Sequence, residues 1–195
     1  MKRDIKLSGV GGQGILTIAT VIGEAATAAG LYLKQAEVHG MSQRGGDVQS
    51  DLRLGTEPVC SDLIPLGQAD LIISMEPMEA LRYLPYLAPD GTVVTASRPL
   101  VNIPDYPDET ALLAELDALP HVVRLDIEAV AREQGLPKSA NMILLGMAAP
   151  FLSLLRPEQL QEAVGRVFAR KGEAVVQANL DAFRLGLSHT YQVSK

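Results

Sequence analysis

The chain has 195 residues and a net charge of −6, and is 47% hydrophobic and 21% charged, a length for one well-buried α/β domain rather than two. Its negative charge, its dispersed Lys and Arg, and its lack of Trp argue against nucleic-acid binding through clustered cations or stacking platforms. One cysteine, Cys60, excludes an internal disulfide, a Cys-based zinc site and a four-cysteine iron–sulfur cluster held by this chain alone.

Taken in chain order, residues 5–10 predict a strand that ends in a glycine turn. Residues 14–29 predict a helix, because Ile15, Ile18, Ala19, Ile22 and Ala26 fall at helical spacing and Gly30 stops it. Residues 31–38 predict a second strand and close a βαβ unit of right-handed crossover. Residues 48–54 alternate apolar and polar side chains, a pattern for a half-exposed strand at a sheet edge. Residues 69–75 read as a buried parallel strand, followed by a helix from Pro77 to about position 87. A turn at 89–91 precedes a β-branched strand at 92–96. After a proline-rich loop at 98–108 come a short helix at 110–117, a strand at 121–125, and a helix capped by Asp126 that runs to about 134. Three helices follow, at 141–155, 157–170 and 173–187.

The expected fold is therefore α/β, a Rossmann-like doubly wound, mostly parallel sheet with a helical C-terminal layer. One domain spans 1–195, with its α/β core at about 1–140 and its helical part at about 141–190. No apolar stretch reaches bilayer-spanning length and no signal-peptide pattern appears. A cytoplasmic protein with no membrane or nucleic-acid partner is the expectation.

Two glycine-rich segments carry the functional signal. Gly9, Gly11 and Gly14 satisfy G-x-G-x-x-G between a strand and a helix, together with Gly12 and Gln13. Glycine permits the tight turn and lets phosphate approach the backbone, and N–H groups at a helix start attract anions. Glu37 lies where a dinucleotide fold places its ribose-binding acid. The second segment, 39–46, combines His39, Ser42, Gln43 and Arg44 with Gly40, Gly45 and Gly46. It offers backbone donors, a hydroxyl, an amide and one planar cation suited to bidentate phosphate or carboxylate contact. In a doubly wound sheet, loops after successive strands gather at one edge, so the two segments should line one crevice.

These segments, Gly-Val-Gly-Gly-Gln-Gly-Ile at 9–15 and Gly-Met-Ser-Gln-Arg-Gly-Gly-Asp-Val at 40–48, closely resemble the gamma-type subunit of the 2-oxoacid:ferredoxin oxidoreductases, and within that family its indolepyruvate branch. The resemblance extends through 69–72, 141–146 and 168–171 to Asn179, Phe183 and Gly186. It implies a hetero-oligomeric enzyme that oxidatively decarboxylates an aryl 2-oxoacid with coenzyme A to an aryl-acetyl-CoA, carbon dioxide and reduced ferredoxin. It also implies that thiamine diphosphate, magnesium and iron–sulfur clusters sit on a large partner subunit, so that this chain binds no cofactor alone. Coenzyme A would be a co-substrate.

Under that reading Gly9, Gly11, Gly12, Gln13 and Gly14 form one wall of the cleft. His39, Ser42, Gln43, Arg44, Gly45 and Gly46 form the other. No residue is assigned a catalytic role and no metal site is expected. Glu76 and Glu79 read as helix-start acids, Met75, Met78, Met142 and Met147 as core or interface filler, and Cys60 as a buried or half-buried thiol. Two alternatives stay open: an autonomous nucleotide-binding module using Glu37, and an architectural subunit whose glycine loops fit against a partner.

Overall fold

The computed structural model describes residues 1–39 and 46–193. Apolar and β-branched runs form six strands: β1 (Lys2–Val10), β2 (Tyr32–His39), β3 (Asp47–Gly55), β4 (Ala69–Ser74), β5 (Leu87–Ala96) and β6 (Val122–Leu125). Seven α-helices join or follow them: α1 (Ile15–Ala28), α2 (Pro77–Arg82), α3 (Glu109–Asp117), α4 (Ile127–Glu133), α5 (Ala140–Ala148), α6 (Pro157–Phe168) and α7 (Glu173–Val193).

One mixed sheet runs β2-β3-β1-β4-β5-β6. Strands β1, β4, β5 and β6 are mutually parallel, and β3 is antiparallel to both of its neighbours. Side chains alternate across the sheet. Ile73 and Val94 therefore face a large core shared with α1 and α4–α7, while Ile72 and Val93 face a smaller one under α2 and α3.

Strand β3 departs from the sequence expectation. It is an interior strand, buried along most of its length, and the sheet edge beside it is β2. Its alternation has another cause: the charged positions, Asp51 and Arg53, are ion-paired inside the protein. Lys6 Nζ meets Asp51 at 2.7 Å, and Arg53 pairs with Asp4 through Nε and Nη2 at 2.9 and 3.1 Å. Arg53 Nη1 also donates to the carbonyls of Ser61 and Leu63, and the second oxygen of Asp51 accepts from Ile64 N–H. Buried charges persist when they are paired and hydrogen-bonded in this way. The same bonds hold the 56–68 connection over this face of the sheet. Cys60 lies within that connection and is exposed, not buried as expected, because Arg53 grips the carbonyls on its C-terminal side rather than drawing in the thiol.

Prolines explain the other differences. Helix α2 stops at Arg82 and a 3₁₀ turn, Leu84–Tyr86, carries Pro85. Helix α5 ends at Ala148 rather than 155, because Pro150 lacks the donor that would continue it. The expected turn at 89–91 is instead an irregularity within β5, where pairing jumps from Ala69–Leu87 to Leu71–Thr92. Asp126 caps α4 by accepting from Ala129 N–H at 2.8 Å. Among the described residues, no helix is long and apolar enough to cross a membrane.

Candidate functional site

The glycine turn sits where β1 delivers its last residue to α1, at the carboxyl edge of the parallel strands, where ligands bind in open α/β sheets. Gly12 and Gly14 take left-handed φ angles of 100° and 84°, which side-chain-bearing residues rarely adopt. Gly14 is the N-cap of α1, so no side chain caps the helix, and its first turn holds no acid. That end of the helix is left open to an anion.

Gln13 lines the cleft with both ends of its amide engaged by backbone. Its Oε1 accepts from Val10 N–H at 2.7 Å and its Nε2 donates to the Met75 carbonyl at 3.1 Å, fastening the turn to the end of β4. On the other flank, Asn141 Nδ2 donates to the Gly14 carbonyl at 3.2 Å. The turn is thus held by two amide side chains, one local and one from α5.

A cavity of about 530 Å³ opens over the turn, well within the range of small-ligand sites. Gly12, Gln13, Gly14 and Met75 form one side; Glu128, Arg132, Pro137, Lys138, Ala140 and Asn141 form the other. Among the described residues neither Arg132 nor Lys138 is ion-paired. Sequence reasoning missed Arg132, Lys138 and Asn141 as site residues, because they lie far from the glycine motif in the chain. The usable signal was topological: the segment after β6 also emerges at the carboxyl edge.

The second glycine segment is anchored to the first. Gly11 N–H donates to the Gly46 carbonyl at 2.9 Å, and Gly9 lies opposite Val48 in the β1–β3 ladder. The backbone of His39 closes the β2–β3 pairing opposite Val48. Gly40, Ser42, Gln43, Arg44 and Gly45 lie outside the described residues. Glu37 is on exposed β2, in contact with Gln35, and β3 separates its strand from β1. An ordinary dinucleotide fold sets the first two strands side by side, so Glu37 is not beside the glycine turn.

Asp47, at the start of β3, meets a buried polar cluster. The Tyr83 hydroxyl donates to Asp47 at 3.3 Å, and burial followed by Asp47 pushes that phenol above its ordinary value. Glu76 is fully buried and caps α2 through Glu79 N–H at 2.9 Å. It also accepts from Leu100 N–H at 3.3 Å and from the Tyr106 hydroxyl, tying down the proline-rich loop. Glu79 pairs with Arg82 at 2.9 Å, yet burial still raises its carboxyl above the usual range. Both acids serve the helix start, and Met75, Met142 and Met147 are core residues.

The family model for pyruvate ferredoxin/flavodoxin oxidoreductase matches residues 4–189. The indolepyruvate oxidoreductase subunit IorB of Thermococcus kodakarensis is 38% identical over 193 residues, covering 94% of each chain. The protein of that name from Archaeoglobus fulgidus is 34% identical, covering 95% of this chain and 94% of its own. Among solved structures, the keto/oxoacid ferredoxin oxidoreductase gamma subunit of Geobacter sulfurreducens superposes with a TM-score of 0.75 at 23% identity, covering 98% of both chains. The 2-oxoglutarate:ferredoxin oxidoreductase of Magnetococcus marinus, solved with 2-oxoglutarate, coenzyme A and succinyl-CoA bound, gives 0.77 at 21% identity over 98% of this chain and 31% of its own. A mixed sheet with these neighbours, a glycine turn open to anions and a family match across nearly the whole chain agree: the protein belongs to the pyruvate ferredoxin/flavodoxin oxidoreductase family.

Proposed function

We propose that this chain is the non-thiamine subunit of a complex that oxidatively decarboxylates indolepyruvate. One 2-oxoacid and one coenzyme A thiol give an aryl-acetyl-CoA, carbon dioxide, a proton and two electrons, which pass to ferredoxin. Four relatives named for indolepyruvate oxidoreductase, 34–38% identical, support the choice of 2-oxoacid. Thiamine diphosphate with magnesium, which supplies the carbanion chemistry, and the iron–sulfur clusters belong to the large partner subunit. The complex is cytoplasmic.

The observation that carries this chain's share is the cavity over Gly12–Gly14, with its open helix start and with Arg132 and Lys138, neither of them ion-paired among the described residues. That site suits an anionic phosphate, and coenzyme A supplies one. Gly9, Gly11, Gly12, Gln13 and Gly14 shape one wall, with Gln13 acting as the brace. His39, Ser42, Gln43, Arg44, Gly45 and Gly46 supply the facing wall, and Arg44 takes a phosphate or carboxylate of coenzyme A or substrate.

The test is co-expression with the large subunit and an anaerobic assay of indolepyruvate- and CoA-dependent ferredoxin reduction. Activity is expected in the co-purified complex and in neither chain alone. A folded chain that neither associates nor supports turnover overturns the reading. Arg44→Ala should weaken binding of coenzyme A or substrate by about tenfold or more, the loss of one charge-assisted hydrogen bond. Unchanged kinetic constants for both would remove Arg44 from the site.

A further inference from the structure

Strand β2 is the last strand on its side of the sheet, and among the described residues no strand pairs with its outer side. The ladders fix which of its backbone groups face outward. Gly11 N–H donates to the Gly46 carbonyl and Thr56 N–H to the Met1 carbonyl, so the even-numbered residues of β3 bond towards β1. The odd-numbered residues of β3 then bond towards β2, where they meet Tyr32, Lys34, Ala36 and Val38. The backbone N–H and C=O groups of Leu33 and Gln35 therefore point away from the sheet. Among the described residues they have no partner.

Natural edge strands are commonly blunted by a proline, a bulge or a covering element. Residues 32–39 contain no proline, and they pair with β3 without a shift of register. Leu33 packs towards α1, where a Cβ on Gly23 would lie 3.3 Å from its Cδ2. The opposite face of β2 carries Tyr32, Lys34, Ala36 and Val38, with Tyr32 and Val38 50% and 52% exposed.

This edge is self-complementary. Pair it antiparallel with a second copy about a two-fold axis at Gln35, and the outward groups of Gln35 meet those of Gln35 in the other copy. Leu33 then meets Glu37 across the same ladder. Tyr32 falls opposite Val38 and Lys34 opposite Ala36, at the pairs without mutual hydrogen bonds, where side chains come closest. An aromatic ring meets a β-branched side chain at each end, and no like charges are opposed. The neighbouring registers lose these features. An axis at Lys34 sets two ammonium groups face to face, and one at Ala36 sets Lys34 against Val38.

We propose that β2 is a self-association strand: two copies of this chain join edge to edge through it, centred on Gln35, and fuse their six-stranded sheets into one. Such an interface is isologous and closed, and it removes the open edge from both copies. The proposal does not depend on what binds at the glycine turn.

Sedimentation equilibrium of the full chain should give the mass of two copies. Gln35→Pro removes an outward N–H at the axis and no bond to β3, so it should keep the wild-type circular dichroism and sediment as one copy. A second measurement fixes the register. With Cys60→Ser, Gln35→Cys places two thiols at the axis, on Cα atoms about 5.5 Å apart, within reach of a disulfide. Mild oxidation should link the copies covalently, both in the isolated chain and in the complex with the large subunit. Glu37→Cys in the same background, displaced along the strand, should not link.

A wild-type chain that sediments as one copy overturns the proposal, as does a folded Gln35→Pro chain that remains a dimer. Linkage through Glu37→Cys in place of Gln35→Cys overturns it too. So does linkage in the isolated chain that is lost in the complex, which would assign the edge to the large subunit. Should Gln35→Pro fail to fold, the cross-links decide.

Discussion

Asn141 Nδ2 donates to the carbonyl of Gly14, linking positions 127 residues apart at the mouth of the cavity. A Cβ on Gly14 would lie 2.8 Å from that same nitrogen, on a backbone with φ +84°. Gly14→Ala should destabilise by about 1–3 kcal/mol from the backbone alone, and Asn141→Ala by about 1 kcal/mol. Because the added methyl collides with the Asn141 side chain, the double variant should lose less than the sum. Urea unfolding of the four proteins checks this; strict additivity would mean that the two residues are uncoupled.

Gln13 predicts a different pattern. Gln13→Leu removes the acceptor for Val10 N–H and the donor to the Met75 carbonyl. Unsatisfied buried groups cost about 1–3 kcal/mol each. The denaturation midpoint should fall, because the turn loses its brace to β4. Gln13→Glu should keep the acceptor and lose the donor, falling between the two. A Leu variant as stable as the wild type would show that the brace carries no weight.

The Lys6–Asp51 pair is buried at 2.7 Å, with the ammonium 4.3 and 4.8 Å from the Tyr86 and Tyr83 ring centroids. Lys6→Met alone should cost about 3–5 kcal/mol, because it leaves the Asp51 carboxylate buried and uncompensated. Lys6→Met with Asp51→Asn should recover much of that loss, since the amide keeps an acceptor for Ile64 N–H. Thermal unfolding of the single and double variants provides the comparison.

Helices α5 and α7 cross closely enough that a Cβ on Gly186 would overlap the carbonyl oxygen of Ile143, and one on Gly146 that of Phe183. Neither obstacle is a side chain that can rotate away. Gly186→Ala should force the helices apart and cost about 1–3 kcal/mol by overpacking, or more. Calorimetry should show a lower Tm for this variant, while Gly165→Ala, with open space at its Cβ, should leave Tm unchanged or raised.

Glu79 gives the fold a pH dependence of definite sign. Burial raises its carboxyl above the ordinary value against the opposing pull of Arg82, while Glu76 and Asp47 add to the rise. A raised carboxyl makes its full contribution to stability below its unfolded value and loses it as pH climbs through the folded one. Glu79→Gln cannot titrate. Its stability relative to the wild type should therefore improve from about pH 4 towards neutrality, as read by denaturant unfolding across that range. A flat difference would mean that Arg82 fully offsets the burial.

The elements with a dominant local signal were legible in the sequence. The strand–turn–helix at Gly9–Gly14, the buried run of β4, and the Asp126 cap each depend on neighbours within a few residues. Strand β3 was misread because alternation reports polarity, and polarity was taken for solvent when its source was Lys6 and Asp4 on the adjacent strand. Cys60 was misplaced for a related reason: nothing local shows that Arg53 organises the loop around it. Of the glycines picked out by motif, Gly12 and Gly14 line the cavity, while Gly9 and Gly11 lie in the strand and turn that lead to it. Arg132, Lys138 and Asn141 did not stand out, because the fold brings them to the turn from the far end of the chain. Gln13 was found as a lining residue, and the structure adds that its amide braces the backbone.

The order of the sheet has a practical corollary for the second glycine segment. Strands β2 and β3 are consecutive and pair along eight positions, from Tyr32–Gly55 to His39–Val48. Residues 40–45 therefore join the ends of a hairpin whose register is set without them, and Gly46 is separately fastened to Gly11. Loop-closure entropy changes only slowly with length. Exchanging the sequence of 40–45 for that of a relative should therefore leave the alignment of the β2–β3 ladder unchanged.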